Sequence, residues 1–249
     1  MASARRFGLI GYPLAHSFSQ KFFSDKFSRE GIEAEYDLWE LPSLNSAADL
    51  PDADGFNVTI PHKQTVISLL DDMDEEARMI GAVNVVKVVR DADGTIRRKG
   101  FNTDAEGFRR SLLSMVRFDP KEHEMGLVLG TGGASKAVAH ALRQIDIEPV
   151  FVSREKGKGD LTYEELTEDV MKNHRLIVNC TPLGTYPNVE SFPPIPYEWL
   201  SAHHFCYDLV YNPSDTTFLK LCREKGATVK NGEEMLRNQA LLAWEIWNS

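Results

Sequence analysis

Apolar residues along the chain fall into short unbroken runs separated by longer amphipathic stretches. The runs Phe7–Ile10, Gly55–Ile60, Val85–Val89, Gly126–Leu129, Pro149–Val152, Leu176–Asn179 and Phe205–Val210 have the length and makeup of buried strands. Between them, apolar positions recur at helical spacing in Phe18–Arg29, Gln64–Leu70, Glu75–Ile80, Glu106–Val116, Ala134–Ile145, Tyr163–Lys172 and Thr216–Lys225. A last amphipathic helix spans Glu233–Trp247. Strands alternating with helices predict parallel sheets joined by right-handed crossovers, an α/β fold. Residues up to 102 form one α/β unit and Gly126 opens a second. The terminal helix, carrying Leu236, Leu241, Leu242 and Trp244, is expected to pack back on the first. The expected division is 1–102 plus 232–249 against 103–231.

Composition changes this picture by exclusion. Of 249 residues, 42% are hydrophobic and 26% charged, enough for a full core and too apolar for disorder. Lys and Arg number 28 against 37 Asp and Glu, and the net charge of −9 disfavours binding to nucleic acid or acidic membranes. No run reaches the ~18 apolar residues of a membrane span. Met1–Arg6 leads directly into a strand rather than a signal core. Cys180, Cys206 and Cys222 lack metal spacing, as do the histidines, which is cytoplasmic usage with no metal expected.

Gly126-Leu-Val-Leu-Gly130-Thr131-Gly132-Gly133-Ala134-Ser135-Lys136 reads as strand, glycine turn and helix start. Gly130 permits the turn, Gly132 lets the backbone approach a pyrophosphate, and the helix from Ala134 offers free N–H groups to phosphate. An NAD site needs an acid at the end of the second strand. Here Ser153 and Arg154 stand there instead, followed by Lys156 and Lys158, a basic cluster suited to a 2′-phosphate and diluted by Glu155. NADP is the expected cofactor.

Three polar stretches of the first unit stand out. Gly11-Tyr-Pro-Leu-Ala15-His16-Ser17-Phe-Ser19 presents two hydroxyls before a helix, where capping is the plain alternative. Asn57-Val-Thr59-Ile-Pro61-His-Lys63 ends a strand with polar groups where parallel sheets hold ligands. Asn102-Thr103-Asp104 precedes a helix, where an acid also serves the first turn.

Together these segments resemble the shikimate dehydrogenase family. Gly81-Ala82-Val83-Asn84, Tyr207-Asp208-Leu209-Val210-Tyr211, Met235-Leu236 and Gln239-Ala240 continue the likeness in order. The resemblance implies a substrate-binding domain and a Rossmann-type dinucleotide domain with a cleft between them, and reversible NADP-linked reduction of 3-dehydroshikimate to shikimate. By it, Ser17 and Ser19 would hold the substrate carboxylate. Thr59, Asn84, Asn102 and Gln239 would bind ring hydroxyls, with Tyr211 also at the substrate. Lys63 and Asp104 would be the catalytic pair, the proton carrier being open between them. Cofactor contacts would fall to Gly130, Thr131, Gly132, Gly133, Ala134, Ser135, Ser153, Arg154, Lys158, Thr181, Leu209 and Gly232.

The sequence departs from the family at Gln20, Ala105, Ser153 and Glu234, the last standing where some members place glycine near the nicotinamide. A shortened crossover from Ser153 to Arg175 leaves Lys158 to stand in for a downstream base. The expected partner is a small molecule, and the chain a monomer or homodimer. Two other readings stay open: a quinate/shikimate dehydrogenase using NAD or NADP, and a noncatalytic NADP(H)-sensing module.

Overall fold

The computed structural model describes residues 4–14 and 17–249, so Ala15 and His16 of the serine motif lie outside the described residues. The first half contains β1 (Arg5–Gly11), α1 (Phe18–Glu30), β2 (Ala34–Glu40), β3 (Gly55–Val58), β4 (Asp72–Met73), α2 (Glu75–Ile80), β5 (Val85–Arg90) and β6 (Ile96–Phe101). They form one six-stranded sheet in the order β2-β1-β3-β5-β6-β4. β1 runs parallel to β2 and β3, but β5 is antiparallel to both β3 and β6. The expectation of parallel sheets throughout is corrected here. An Asp93-Gly94 turn joins β5 directly to β6, with Gly94 at φ 85°, and so tight a connection can only reverse the chain.

Capping fixes α1 at both ends. The Ser17 hydroxyl accepts from Gln20 N at 3.3 Å, and Gly31 takes the left-handed conformation at φ 63°. Its buried Phe23 and Phe27 join Phe7, Tyr36, Ala240, Ala243 and Trp247 in one core cluster, while Ile10, Phe56, Val58, Val83 and Val86 belong to another. Trp247 stacks on Phe7 at 4.8 Å and donates its indole N–H to Val86 O at 3.1 Å, so the indole is buried with its polar group paired.

The second half contains α3 (Asp104–Leu113), β7 (Met125–Leu129), α4 (Gly133–Arg143), β8 (Glu148–Ser153), β9 (Leu161–Thr162), α5 (Glu168–Asn173), β10 (Leu176–Asn179), β11 (Phe205–Asp208), α6 (Thr217–Glu224), β12 (Thr228–Lys230) and α7 (Glu233–Asn248). Its sheet is parallel throughout, ordered β12-β11-β10-β7-β8-β9. Read from β9, the strands follow the 3-2-1-4-5-6 order of dinucleotide-binding sheets, with the reversal between β7 and β10. Leu127, Leu129, Val152, Ile177, Cys206 and Phe218 form its core.

The two compact units are Met1–Thr103 with Ala240–Ser249, and Asp104–Gln239. Residues 232–239 thus group with the second unit. Two expected helices also differ. Gln64–Leu70 is a 3-10 turn over Thr65–Leu69, and Tyr163–Lys172 divides into a 3-10 turn and α5 because Thr167 caps a new helix start.

Candidate active site

In the first unit, the segment after β3 is pinned to its neighbours through the backbone. Thr59 N donates to Ile10 O at 2.9 Å, His62 N to Thr59 O at 2.9 Å, and Val83 N to Lys63 O at 2.8 Å. Thr59 and Lys63 are thereby held at the C-terminal ends of β1 and β3, beside Asn84. Asn84 is buried, donating its amide to Thr103 Oγ1 at 3.0 Å and accepting from Thr103 N at 2.8 Å. Asn102 donates to Ala82 O at 2.9 Å. Asn57 accepts from the Tyr36 hydroxyl at 2.7 Å and donates to Asn84 O at 3.3 Å. Burial pushes the Tyr36 phenol pKa far up, an effect the nearby Ser19 side chain partly opposes. Ser17 caps α1 through an oxygen lone pair, which leaves its O–H able to donate to an anion.

In the second unit, the strand order reverses where the glycine turn sits. Gly130 has φ 104°, donates to Val152 O at 2.9 Å, and would bring a Cβ within 3.2 Å of Thr181 Cγ2. A side chain there is strained and crowded. Gly132 caps α4, and buried Ser135 donates back to Gly132 O at 2.6 Å. No acid occupies the first turn of α4, and open space surrounds the Gly132 Cα. A helix start with this clearance fits a pyrophosphate. At the end of β8, buried Ser153 accepts from Glu155 N at 3.1 Å, Arg154 is exposed, and Lys158 pairs with Glu155 at 2.7 Å. Asp160 closes the turn by accepting from Phe151 N at 2.8 Å.

Beside the glycine turn lies a buried polar hub. Asp208 accepts from Asn179 Nδ2 at 2.9 Å, Val210 N at 3.0 Å and Thr216 Oγ1 at 2.6 Å. Asn179 in turn accepts from both the backbone and hydroxyl of Thr181, at 3.0 and 2.6 Å. Burial outweighs these bonds and pushes the Asp208 carboxyl up to about 6. Gly232 packs so tightly on the Leu209 backbone that no Cβ fits. Tyr211 is half-exposed, its phenol pKa raised by desolvation. Gly107 lets α3 approach α7, since a Cβ would sit 3.0 Å from Met235 O and 3.1 Å from Gln239 Cβ. Asp104, buried, opens α3 one turn earlier.

Residues 9–86 match the family model described as the shikimate dehydrogenase substrate binding domain. A Methanopyrus kandleri protein named shikimate dehydrogenase (NADP(+)) is 35% identical, covering 96% of this chain and 89% of its own length. Another of that name, from Caldanaerobacter subterraneus subsp. tengcongensis, is 36% identical and covers 99% and 92%. This chain belongs to the shikimate dehydrogenase family. The crystal structure of the Thermus thermophilus family member in complex with NADP(H) and shikimate matches with a TM-score of 0.82 at 32% identity, covering 98% of this chain and 93% of that one.

Of the residues the family pattern selects, Thr59, Lys63, Asn84 and Asn102 gather around the ends of β1 and β3, while Ser17 and Ser19 lie at the start of α1. Gly130–Ser135 and Thr181 meet at the strand-order reversal, and Leu209 meets Gly232. Lys63 falls in the first unit, Asp104 and Gln239 in the second. Glu234, standing where some family members place glycine, is ion-paired with Lys230 and accepts from Ser114 at 3.0 Å and Ser111 at 3.4 Å. Sequence reasoning assigned no role to Tyr36, Thr103, Asn179, Asp208 or Thr216. A polar residue closing an apolar strand, as Asn179 and Asp208 do, was the available signal.

Proposed function

We propose that this protein is an NADP-dependent shikimate dehydrogenase that reversibly reduces 3-dehydroshikimate to shikimate, on the route to chorismate and the aromatic amino acids. One observation carries the reading: similarity to proteins of that name spans 96% of the chain, taking in the polar cluster of one unit and the glycine turn of the other. The first unit carries Ser17, Ser19, Thr59, Lys63, Asn84 and Asn102, and the second carries the dinucleotide groups together with Asp104, Tyr211 and Gln239.

NADP, when bound, supplies or removes the hydride. Gly130–Ser135 and the start of α4 hold its pyrophosphate, Arg154 and Lys158 its 2′-phosphate, and Thr181, Leu209 and Gly232 line the remainder. Ser17 and Ser19 donate to the substrate carboxylate. Thr59, Asn84, Asn102 and Gln239 grip the ring hydroxyls, with Tyr211 beside them. Hydride arrival at a ketone leaves negative charge on oxygen, which the Lys63 ammonium stabilises and protonates. The Asp104 carboxylate accepts from the reacting hydroxyl and fixes its direction. No helix among the described residues is long and apolar enough to cross a membrane, and the three cysteines are free thiols. We place the enzyme in the cytoplasm, as a monomer or homodimer.

Steady-state absorbance at 340 nm, with shikimate and quinate each paired with NADP+ and NAD+, tests the reading. Shikimate with NADP+ is expected to give the highest kcat/KM. A preference for quinate, or no turnover with any pair, overturns it.

A further inference from the structure

Gly11 ends β1, Thr59 follows β3, and backbone hydrogen bonds tie the two positions together. Thr59 N donates to Ile10 O at 2.9 Å and Tyr12 N to Ile60 O at 3.0 Å, while Leu41 N holds Gly11 from the other side, donating to its carbonyl at 3.1 Å. Neither backbone can retreat without breaking one of these bonds. The gap between them admits no side chain at position 11. A Cβ on Gly11 would lie 2.4 Å from Thr59 Cγ2, 2.8 Å from Leu14 Cδ2 and 3.1 Å from Ile60 O. The φ of Gly11 lies outside the left-handed region, so glycine stands here for space and not for backbone conformation.

Gly8 and Gly55 of the same sheet also make room, but for the rings of Trp39 and Trp247, which pack in or against the core. What fills the gap at Gly11 is the methyl of Thr59, a half-buried residue assigned to the substrate. The methyl and hydroxyl of threonine share one Cβ. A methyl lodged against Gly11 therefore selects the χ1 rotamer and with it the direction of the hydroxyl. A binding hydroxyl whose direction is set beforehand loses less freedom when the ligand arrives.

We infer that Gly11 is a positioning residue for the substrate: the gap left by its missing side chain seats the Thr59 methyl and so aims the Thr59 hydroxyl at the ring hydroxyl it binds. This rests on the proposed function and deepens it, since Gly11 itself needs no contact with substrate.

Gly11→Ala fills the gap. Leu14 Cδ2 is the far end of a flexible side chain and can swing aside, and Ile60 O needs only a small shift. The Thr59 methyl has to turn away, taking the hydroxyl with it. The KM for shikimate is expected to rise roughly five- to thirtyfold, as for a lost or misdirected hydrogen bond, with kcat and the KM for NADP+ within about twofold. Thr59→Ser keeps the hydroxyl and deletes the methyl. Alone it should raise the KM for shikimate about two- to fivefold, because the hydroxyl is then free to rotate. In that background Gly11→Ala should add less than about twofold. Shikimate binding measured calorimetrically on the four proteins should follow the same order. A Gly11→Ala protein with wild-type KM and wild-type binding overturns the inference, even if it melts earlier, because that pattern belongs to strand packing alone. Losses that multiply in the double variant overturn the route through the Thr59 methyl. Should Gly11→Ala fail to fold, Thr59→Ser still decides, since wild-type KM and affinity for shikimate in that variant overturn the role of the methyl. A wild-type protein that neither turns over nor binds shikimate overturns the proposed reaction and this inference together, whereas bound shikimate whose affinity ignores both substitutions overturns the inference alone.

Discussion

Replacing Asp208 with Asn changes one buried oxygen to an NH2 group and removes a charge. In the native protein the carboxyl titrates near 6 rather than at its ordinary 3.8, because desolvation exceeds the help of its three donors. The folded state therefore holds a proton that the unfolded chain has already released between those two values. Stability from this group is present at low pH and is lost as pH rises towards and through about 6. Between pH 5 and 7.5 the loss amounts to about 1–2 kcal/mol. The amide of the Asp208→Asn variant cannot titrate, so the stability difference between wild type and variant should shrink by that amount over the same interval. Working with the difference also cancels His123 and His204, whose pKa values burial lowers and which lose stability in the opposite direction, as pH falls below 6.5. Urea unfolding of both proteins at pH 5.0 and 7.5 reads the quantity directly. A difference that stays constant across the two pH values refutes the reasoning, since Asp208 would then be ionised throughout.

Other expectations follow from the same geometry. Arg154→Ala should raise the KM for NADP+ roughly ten- to a hundredfold while barely moving that for NAD+, a charged phosphate contact contributing about 1.5–3 kcal/mol; equal losses in steady-state assays would remove Arg154 from the phosphate. The Ser17→Ala/Ser19→Ala variant should bind shikimate poorly and NADP+ normally by calorimetry. An early melt with intact substrate affinity would leave capping as their task. Lys63→Ala should lower kcat about 10²–10⁴-fold with a small change in substrate binding, and adding Asp104→Asn should cost little more if the two act as one unit.

The second unit was the more legible, for a physical reason. Its central strands β7, β10 and β11 are buried on both faces and read as continuous apolar runs, while Gly130 marks the turn between strand and helix. What escaped lies at edges or carries charge. β2, with sequence Ala-Glu-Tyr-Asp-Leu-Trp-Glu, alternates acids with apolar groups, and as an edge strand it hides only Tyr36 fully. β6 carries Arg97, Arg98 and Lys99 in succession, and β12 is three residues long. The antiparallel middle of the first sheet was written in Asp93-Gly94, a hairpin signal that helix-strand alternation overrode. The proposed site residues stood out as motifs because they sit in runs at strand and helix ends. Buried polar partners such as Tyr36, which donates to Asn57, come from distant segments and announce themselves only through burial.

The two units meet the problem of polar groups in the interior in different ways. The first uses neutral side chains, Tyr36, Asn57, Asn84 and Thr103, each answered by a hydroxyl or by an amide of side chain or backbone. None of the four changes charge between pH 5 and 9, the phenol of Tyr36 being driven upward by burial. The second buries a carboxyl instead, and desolvation moves its titration to about 6. Acidification should therefore act on the loops after β10 and β11, through Asp208, Asn179 and Thr181, before it reaches the hydroxyls and amides of the first unit. Protonation weakens acceptance by Asp208, since hydrogen bonds to an ionised acceptor are the stronger kind. The KM for NADP+ should consequently respond to Asp208→Asn at pH 7.5 more than at pH 5, where the native carboxyl is largely protonated and already resembles the amide in charge. The KM for shikimate should show no such convergence. Equal effects of the substitution on the NADP+ constant at both pH values would mean that the Asp208 charge has no part in shaping the cofactor loops.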